Sequence, residues 1–384
     1  MEIVRLKKEN YDDLIGLLNF VFSIKNNKEM SFEAELPKMC VRDDEHMGRH
    51  FGIFEDGKLV AAIGAYALPV TVAGEKLLFS TVGNIATHPD YQGKGYMNML
   101  IERAMQELDD MGADASRLGG LRLRYNRFGY ESCGRMYQFS LNEHNRKGKF
   151  PNAHEGVVVE RIQRDDLATL QEVKALHDSC EISVEREADN DYYDVYAAMV
   201  AWKNIPYAAK KDGRVIGYFC TNERGDVLAE NYAESLDAMV QMLCAWQKQI
   251  GGTIYFYMYP HQMEYVRLFY EVCESVGIKC PCHFKFIHWE KVVGAFLRLK
   301  ATYSQLPYGE LTIEIKEYGT IRLFVNEQGV GCEKTTKQAD VTLNKLQAAR
   351  YLFGVLPPEC TGETNALAKA WLPLPLSWNL QDRV

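Results

Sequence analysis

Apolar residues at Leu14, Leu17, Leu18 and Val21 recur at three- and four-residue intervals, so they share one face of a predicted helix, preceded by a short strand from Glu2 to Leu6. A loop rich in Met, Glu and Asp follows to about Arg49. The apolar runs Phe51 to Phe54 and Leu59 to Leu68 then flank Glu55-Asp56-Gly57-Lys58, and an Asp-Gly pair between such runs predicts a hairpin. Val70 to Val72 and Lys76 to Thr87 continue the sheet around Gly74. The last strand stops at His88-Pro89, because proline has no N–H for the ladder. Met97, Leu100, Ile101, Ala104, Met105 and Leu108 form the stripe of a second helix, with Gly112 as its stop. Strands over Asp114 to Leu118 and Met136 to Leu141 complete an α/β sandwich whose glycine loop lies at a strand's carboxyl end, where such sheets place ligands.

Residues 145–155 have the composition of a linker. Beyond it the element order repeats. A strand covers Val157 to Ile162, and helices cover Leu167 to Leu176 and Asn190 to Asn204. Tyr207 to Lys210 and Val215 to Cys220 flank a second hairpin turn, Lys211-Asp212-Gly213-Arg214. Strand Asp226 to Tyr232, helix Leu236 to Gln249, strand Thr253 to Tyr259 and helix Met263 to Val276 follow. From Trp289 the character changes again: a helix Val292 to Tyr303, two runs of period-2 alternation, LTIEIKE and GTIRLFV, a short strand over Ala339 to Leu343, and a helix Lys345 to Phe353. The reading is three units, 1–150, 151–288 and 289–384. The first two are α/β mixed-sheet sandwiches and the third is α+β.

The 384 residues, 47% hydrophobic and 25% charged, suffice for two or three cores. A net charge of -8 and a pI near 5.7 argue against a nucleic-acid or anionic-membrane partner and suit cationic substrates such as amines. The N-terminus lacks the order of a secretory signal, and no run approaches the roughly 18 apolar residues of a membrane span. The ten cysteines then read as reduced thiols in a cytoplasmic protein. Cys280-Pro-Cys282-His283, with His288 nearby, lacks the spacing of a structural zinc site, so no metal is expected.

The sharpest chemical signal is the loop Gln92-Gly93-Lys94-Gly95-Tyr96-Met97, between the strand end Ile85-Ala86-Thr87 and a helix. Free N–H groups at the positive end of a helix suit a pyrophosphate, although the spacing fits neither the P-loop nor the dinucleotide fingerprint. The corresponding turn of the second unit, Ala233-Glu234-Ser235, has no glycine and carries an anion, so only the first unit is expected to hold a cofactor.

The string IATHPDYQGKGYMNMLIERAMQEL resembles the acetyl-CoA motif of the GNAT superfamily of N-acetyltransferases: Gln92 and Gly95 match, and Met97 departs from the usual last small residue. Together with Tyr125-Asn126-Arg127-Phe128-Gly129-Tyr130, it is similar to the enhanced intracellular survival subfamily. That resemblance implies two tandem GNAT units, the second degenerate, followed by a sterol-carrier-protein-like domain. It further implies acetyl-CoA as cosubstrate, contacted by Ile85, Ala86 and Thr87, by Gly93, Lys94, Gly95, Tyr96, Met97 and Asn98, and by Gly120 and Leu121. A homo-oligomer, trimer or hexamer, is implied by the resemblance alone.

Acetyl transfer to an amine needs the amine deprotonated and the departing thiolate protonated. The central strand Ser80 to Thr87 carries no carboxylate to act as base. The resemblance implies Tyr125 as general acid and the carboxylate of Val384 as general base. His88, His50 and Cys133 read as structural. The acceptor is expected to be a primary amine, whether aminoglycoside-like, polyamine or lysine. The rival expectation is a non-catalytic protein that binds CoA and an apolar ligand.

Overall fold

The computed structural model describes residues 2–361 and 365–383, and among the described residues the strands form four sheets. The first segment supplies β1 (Ile3–Arg5), β2 (His50–Glu55), β3 (Lys58–Val72), β4 (Glu75–Thr87), β5 (Ala115–Leu118), β6 (Glu131–Cys133) and β7 (Met136–Leu141). The second supplies β8 (Val157–Arg161), β9 (Ile182–Val184), β10 (Ile205–Lys211), β11 (Arg214–Thr221), β12 (Leu228–Ala233), β13 (Ile254–Met258), β14 (Val276–Lys279) and β15 (Cys282–Phe286). The third supplies β16 (Gly309–Ile315), β17 (Gly319–Asn326), β18 (Gly329–Thr335) and β19 (Val341–Leu343). Both expected hairpins form. Asp56 and Gly57 have φ of 48° and 74°, and Asp212 and Gly213 have φ of 51° and 80°, the paired left-handed residues that a two-residue turn between twisted strands requires.

The main departure from the expected layout is a reciprocal exchange of strands. The first sheet runs β1-β2-β3-β4-β5-β15-β6, so a strand of the second segment sits between two of the first. In return β7 lies between β13 and β14, pairing Phe139 with both Phe256 and Val276. The strand Met136–Leu141, expected to close the first sandwich, therefore belongs to the second sheet system. Its Phe139 and Leu141 are buried in the core around Phe256, Phe269 and Trp246. Apolar alternation specifies a strand but not its partner, because the backbone hydrogen bonds of any sheet satisfy it equally.

Smaller differences follow from the same cause. The helix expected to reach Val276 ends at Val272, and Val276–Lys279 pairs with β7 instead. The helix expected over 190–204 spans Asp189–Met199 and yields to a 3-10 turn, Ala201–Lys203, in which Trp202 and Lys203 take φ of 60° and 57°. The first helix is longer than its stripe suggested, Tyr11–Asn26. No helix among the described residues is long and apolar enough to cross a membrane.

After helix Ala366–Trp371 the chain stays packed against Leu352 through Leu374 and then runs back to residues of the first and second segments. Arg135 N–H donates to the Leu376 carbonyl at 2.8 Å, and Trp378 stacks on Phe79 at 5.4 Å. Gln381 Nε2 donates to the carbonyls of Ala198, Met199 and Ala201, and Arg117 Nη1 donates to the carbonyl of Asp382 at 3.0 Å.

The buried histidines His50 and His261 set an acid limit on this fold. Burial pushes His50 and His261 from the usual 6.5 down to about 4. The unfolded chain then binds more protons than the folded one between these values, so stability falls as pH drops from 6.5 towards 4. At pH 5 each histidine is expected to cost about 2 kcal/mol relative to pH 7. Urea midpoints at pH 7 and 5 check this, and His50→Gln should flatten part of the difference; equal midpoints would refute it.

Candidate active site

Strand β4 pairs in parallel with β5 only as far as Val82 and Leu118, yet continues to Thr87 against β3 on its other edge. Beyond Val82 the two strands part. Asn84, at φ 53°, makes the local bulge in β4. The opening between them leads into two cavities.

The outer cavity, about 760 Å³, is bounded by Ile85 and Thr87 on one side and by the loop Gly93, Gly95, Tyr96, Met97 and Asn98 on the other. Gly93 and Gly95 stand at φ of 82° and 85°, where a side chain would be strained. Gly95 is also the N-cap of helix Tyr96–Asp110 and offers no capping side chain. Gln92 N–H is taken by Pro89 and Asn98 N–H by Gly95, so the five N–H groups of residues 93–97 have no acceptor among the described residues. A row of free donors at the positive end of a four-turn helix suits an anion.

The inner cavity, about 470 Å³, lies beyond the splay and is walled by Gly120 and Leu121 after β5, by Phe32, and by residues of the exchanged β15. Leu121, Ile85, Arg124 and Tyr125 line both cavities. The Tyr125 side chain thus stands at their junction, its ring edge 3.0 Å from where a Cβ on Gly120 would lie. Burial raises its pKa, while the adjacent Arg124 guanidinium works in the opposite sense. The phenol is therefore protonated at neutral pH, with a cation beside it that lessens the cost of transient phenolate.

Of the residues expected to contact the cosubstrate, two do not line either cavity. The Ala86 side chain points to the opposite face and packs with Leu14 and Leu18, and Lys94 turns its ammonium to Glu55 at 2.8 Å. Only their backbones remain available. Val384 lies outside the described residues, but Arg383, the residue before it, lines the inner cavity. His50 is buried behind the wall, its Nε2 accepting from Tyr66, which also accepts from Asn84 Nδ2 at 2.7 Å. His88 stacks on Phe20, and burial pushes the Cys133 thiol well up, so none of these three supplies a base to the cavity.

Sequence reasoning missed the inner wall. His283 reaches it only because β15 is exchanged into the first sheet, and it is held at both ring nitrogens: Nε2 lies 2.8 Å from the Gly120 carbonyl and Nδ1 2.7 Å from Ser132 Oγ. The carbonyl can only accept, so Nε2 carries hydrogen and the Nδ1 lone pair receives the serine hydroxyl. Net acidity also misled: the inner lining holds Lys25, Arg117, Arg124 and Arg383 and, among the described residues, no aspartate or glutamate. The overall sign of a protein does not set the sign of one cavity.

The equivalent turn of the second unit is built differently. Ser235 caps helix Leu236–Ile250 through the Ala238 N–H, and the adjoining cavity of about 580 Å³ is edged by Glu181, Glu234 and Glu264. The carboxylates of that lining outnumber Arg267, so a pyrophosphate would meet net negative charge there.

Residues 2–133 match the family model described as the acetyltransferase (GNAT) domain. No curated protein matches the chain. Among solved structures, a GCN5-related N-acetyltransferase from Kribbella flavida is similar over 96% of this chain and 93% of its own, at 17% identity and a TM-score of 0.64. Eis1 from Mycobacterium abscessus is similar over 99% and 98%, at 13% identity and 0.67. A probable N-acyltransferase from Enterococcus faecalis V583 is similar over 97% and 98%, at 14% and 0.67. At these identities the likeness establishes the shared fold.

Proposed function

We propose that the chain, whose residues 2–133 match the GNAT acetyltransferase domain model, moves an acetyl group from acetyl-CoA to a primary amine by direct transfer. The observation that supports this reading is Tyr125 at the junction of the two cavities, with a helix start rich in free N–H groups on one side and the inner cavity of about 470 Å³ on the other. The pyrophosphate would lie on the N–H groups of residues 93–97, and the pantetheine arm would pass along the open edge of β4 to bring the thioester to the splay.

The amine nitrogen attacks the thioester carbon; the C–N bond forms, the C–S bond breaks, and the amine proton must leave. The chamber supplies no side-chain carboxylate among its described residues, which favours the carboxylate of Val384 as base, directly or through water. Tyr125 would donate to the departing sulfur. Since a phenol is a weaker acid than a thiol, its first contribution is a hydrogen bond to developing charge, with Arg124 making fuller transfer accessible.

On this reading the chain is two tandem GNAT units, the second without a cofactor site, followed by a sterol-carrier-like domain whose role is to deliver the tail. The homo-oligomer implied by the sequence resemblance and a cytoplasmic site of action are proposed with it. The test is CoA release with a panel of primary amines, repeated with three residues added after Val384. Turnover with at least one amine is expected, reduced at least about tenfold by the extension. Full activity of the extended protein would remove the Val384 carboxylate from the mechanism. No turnover with any amine, alongside tight lipid binding, would favour a CoA- and apolar-ligand-binding protein instead.

A further inference from the structure

Resting on the reading of the inner cavity as the acceptor chamber, we infer that the acceptor is an amine carrying an anionic group, a carboxylate or phosphate, and not a polycation. Four cations line the chamber, and two of them, Arg117 and Arg383, do not touch the outer cavity, so they are not placed to serve the cosubstrate's phosphates.

Neither arginine has a carboxylate partner among the described residues. Arg117, 1% exposed, spends its donors on Thr81 Oγ1, the Asp382 carbonyl and Cys282 Sγ, and its guanidinium lies 5.3 Å from the centre of the Trp378 ring. Arg383 donates through Nε to the Leu380 carbonyl at 2.9 Å and lies 5.9 Å from the centre of the Trp202 ring. Burial, and then the charge of Arg117, lower the Arg383 pKa: two like charges share a partly dry wall. The Trp202 indole N–H, in the same wall, is buried without an acceptor among the described residues, on a backbone held at positive φ. Buried cations without counter-ions are costly, and left-handed conformations at non-glycine residues persist where the surroundings over-determine them.

Even with the Val384 carboxylate counted, the chamber keeps more positive than negative charge. A bound anion would relieve that excess. An aminoglycoside or polyamine would add to it. The proton balance of the transfer is unchanged, because the anionic group takes no part in the bond making.

The test compares kcat/KM for matched acceptors: β-alanine against β-alaninamide, phosphoethanolamine against ethanolamine, and spermidine as the cationic arm. The charged member of at least one pair is expected to be preferred about tenfold to hundredfold, the value of one charge-assisted hydrogen bond, and the preference should appear in KM. Which pair shows it separates a carboxylate from a phosphate acceptor. Arg383→Gln should narrow the preference.

Faster turnover of spermidine, or no preference in either pair, would overturn the inference while leaving acetyl transfer intact. A preference that Arg383→Gln leaves unchanged, with all acceptors slowed alike, would mean that the arginines serve the tail carboxylate and would overturn it too. If no amine is turned over, the acetyltransfer reading fails separately. Calorimetry of the same amines on the CoA-loaded protein then decides: tighter binding of the charged members supports an anion site, and equal or weaker binding refutes it.

Discussion

Replacing Tyr125 with phenylalanine is expected to lower kcat about 10²- to 10³-fold while acetyl-CoA still binds, because general acid assistance typically contributes at that scale. The substitution is close to isosteric, so the ring that packs beside Gly120 and closes the junction of the two cavities stays in place. What is lost is the hydroxyl proposed to donate to the departing sulfur. The anchor proposed for the cosubstrate, the free N–H groups of residues 93–97, lies on another element, which is why KM for acetyl-CoA should move little. Steady-state kinetics with a saturating amine, and calorimetry with CoA, separate the two effects. A kcat within about threefold of the parent protein, too small for an acid–base role, would remove Tyr125 from the chemistry.

The second large effect is expected from Arg186→Leu, which should destabilise the protein by about 3–5 kcal/mol, the usual consequence of removing one partner from a buried ion cluster. Arg186 is 4% exposed and bridges two carboxylates that are themselves buried: Glu230, at 2.9 and 2.7 Å, and Asp382, at 3.1 and 2.9 Å. Burial alone would raise the Asp382 pKa, but Arg186, and after it Lys38, hold it below the ordinary carboxylate range. Its contribution is therefore present above the unfolded value near 3.9 and is lost as pH falls further.

Without Arg186, two anions face one another in the seam through which the tail reaches the chamber. Asn379 also bonds Glu230, so the whole end of the chain would be loosened. Acetyl transfer should fall with the tail's detachment, by about 10²-fold if the base is delivered there, while CoA binding in the first unit persists. Urea titration and limited proteolysis of residues 372–383 check the structural half. An unshifted urea midpoint would show that the cluster does not hold the tail.

Much of this was legible in the sequence, and the reason is locality. The two Asp-Gly turns, the end of β4 before His88-Pro89 and the helix behind Gly95 are set within a few residues by φ preferences and apolar spacing. The glycine loop and the Tyr125 segment could be singled out for the same reason, since each is one short stretch, and the structure brings both to the edge of the outer cavity.

Only the tertiary structure decided which strands pair across the two units and which charges meet in the chamber. Met136–Leu141 and Cys282–Phe286 look like ordinary strands, and alternation says nothing about whose sheet they enter. Lys25, Arg117, Arg124 and Arg383 lie up to the length of the chain apart and are diluted by an acidic average. Their common cavity exists because Asn379, Gln381 and Asp382 lock the tail against Glu230, Ala198 and Arg186, contacts between residues about 150 to 200 positions apart. Local sequence set the glycine loop and the outer cavity, where backbone conformation is the determinant. Long-range packing set the inner cavity, where electrostatics among distant side chains is.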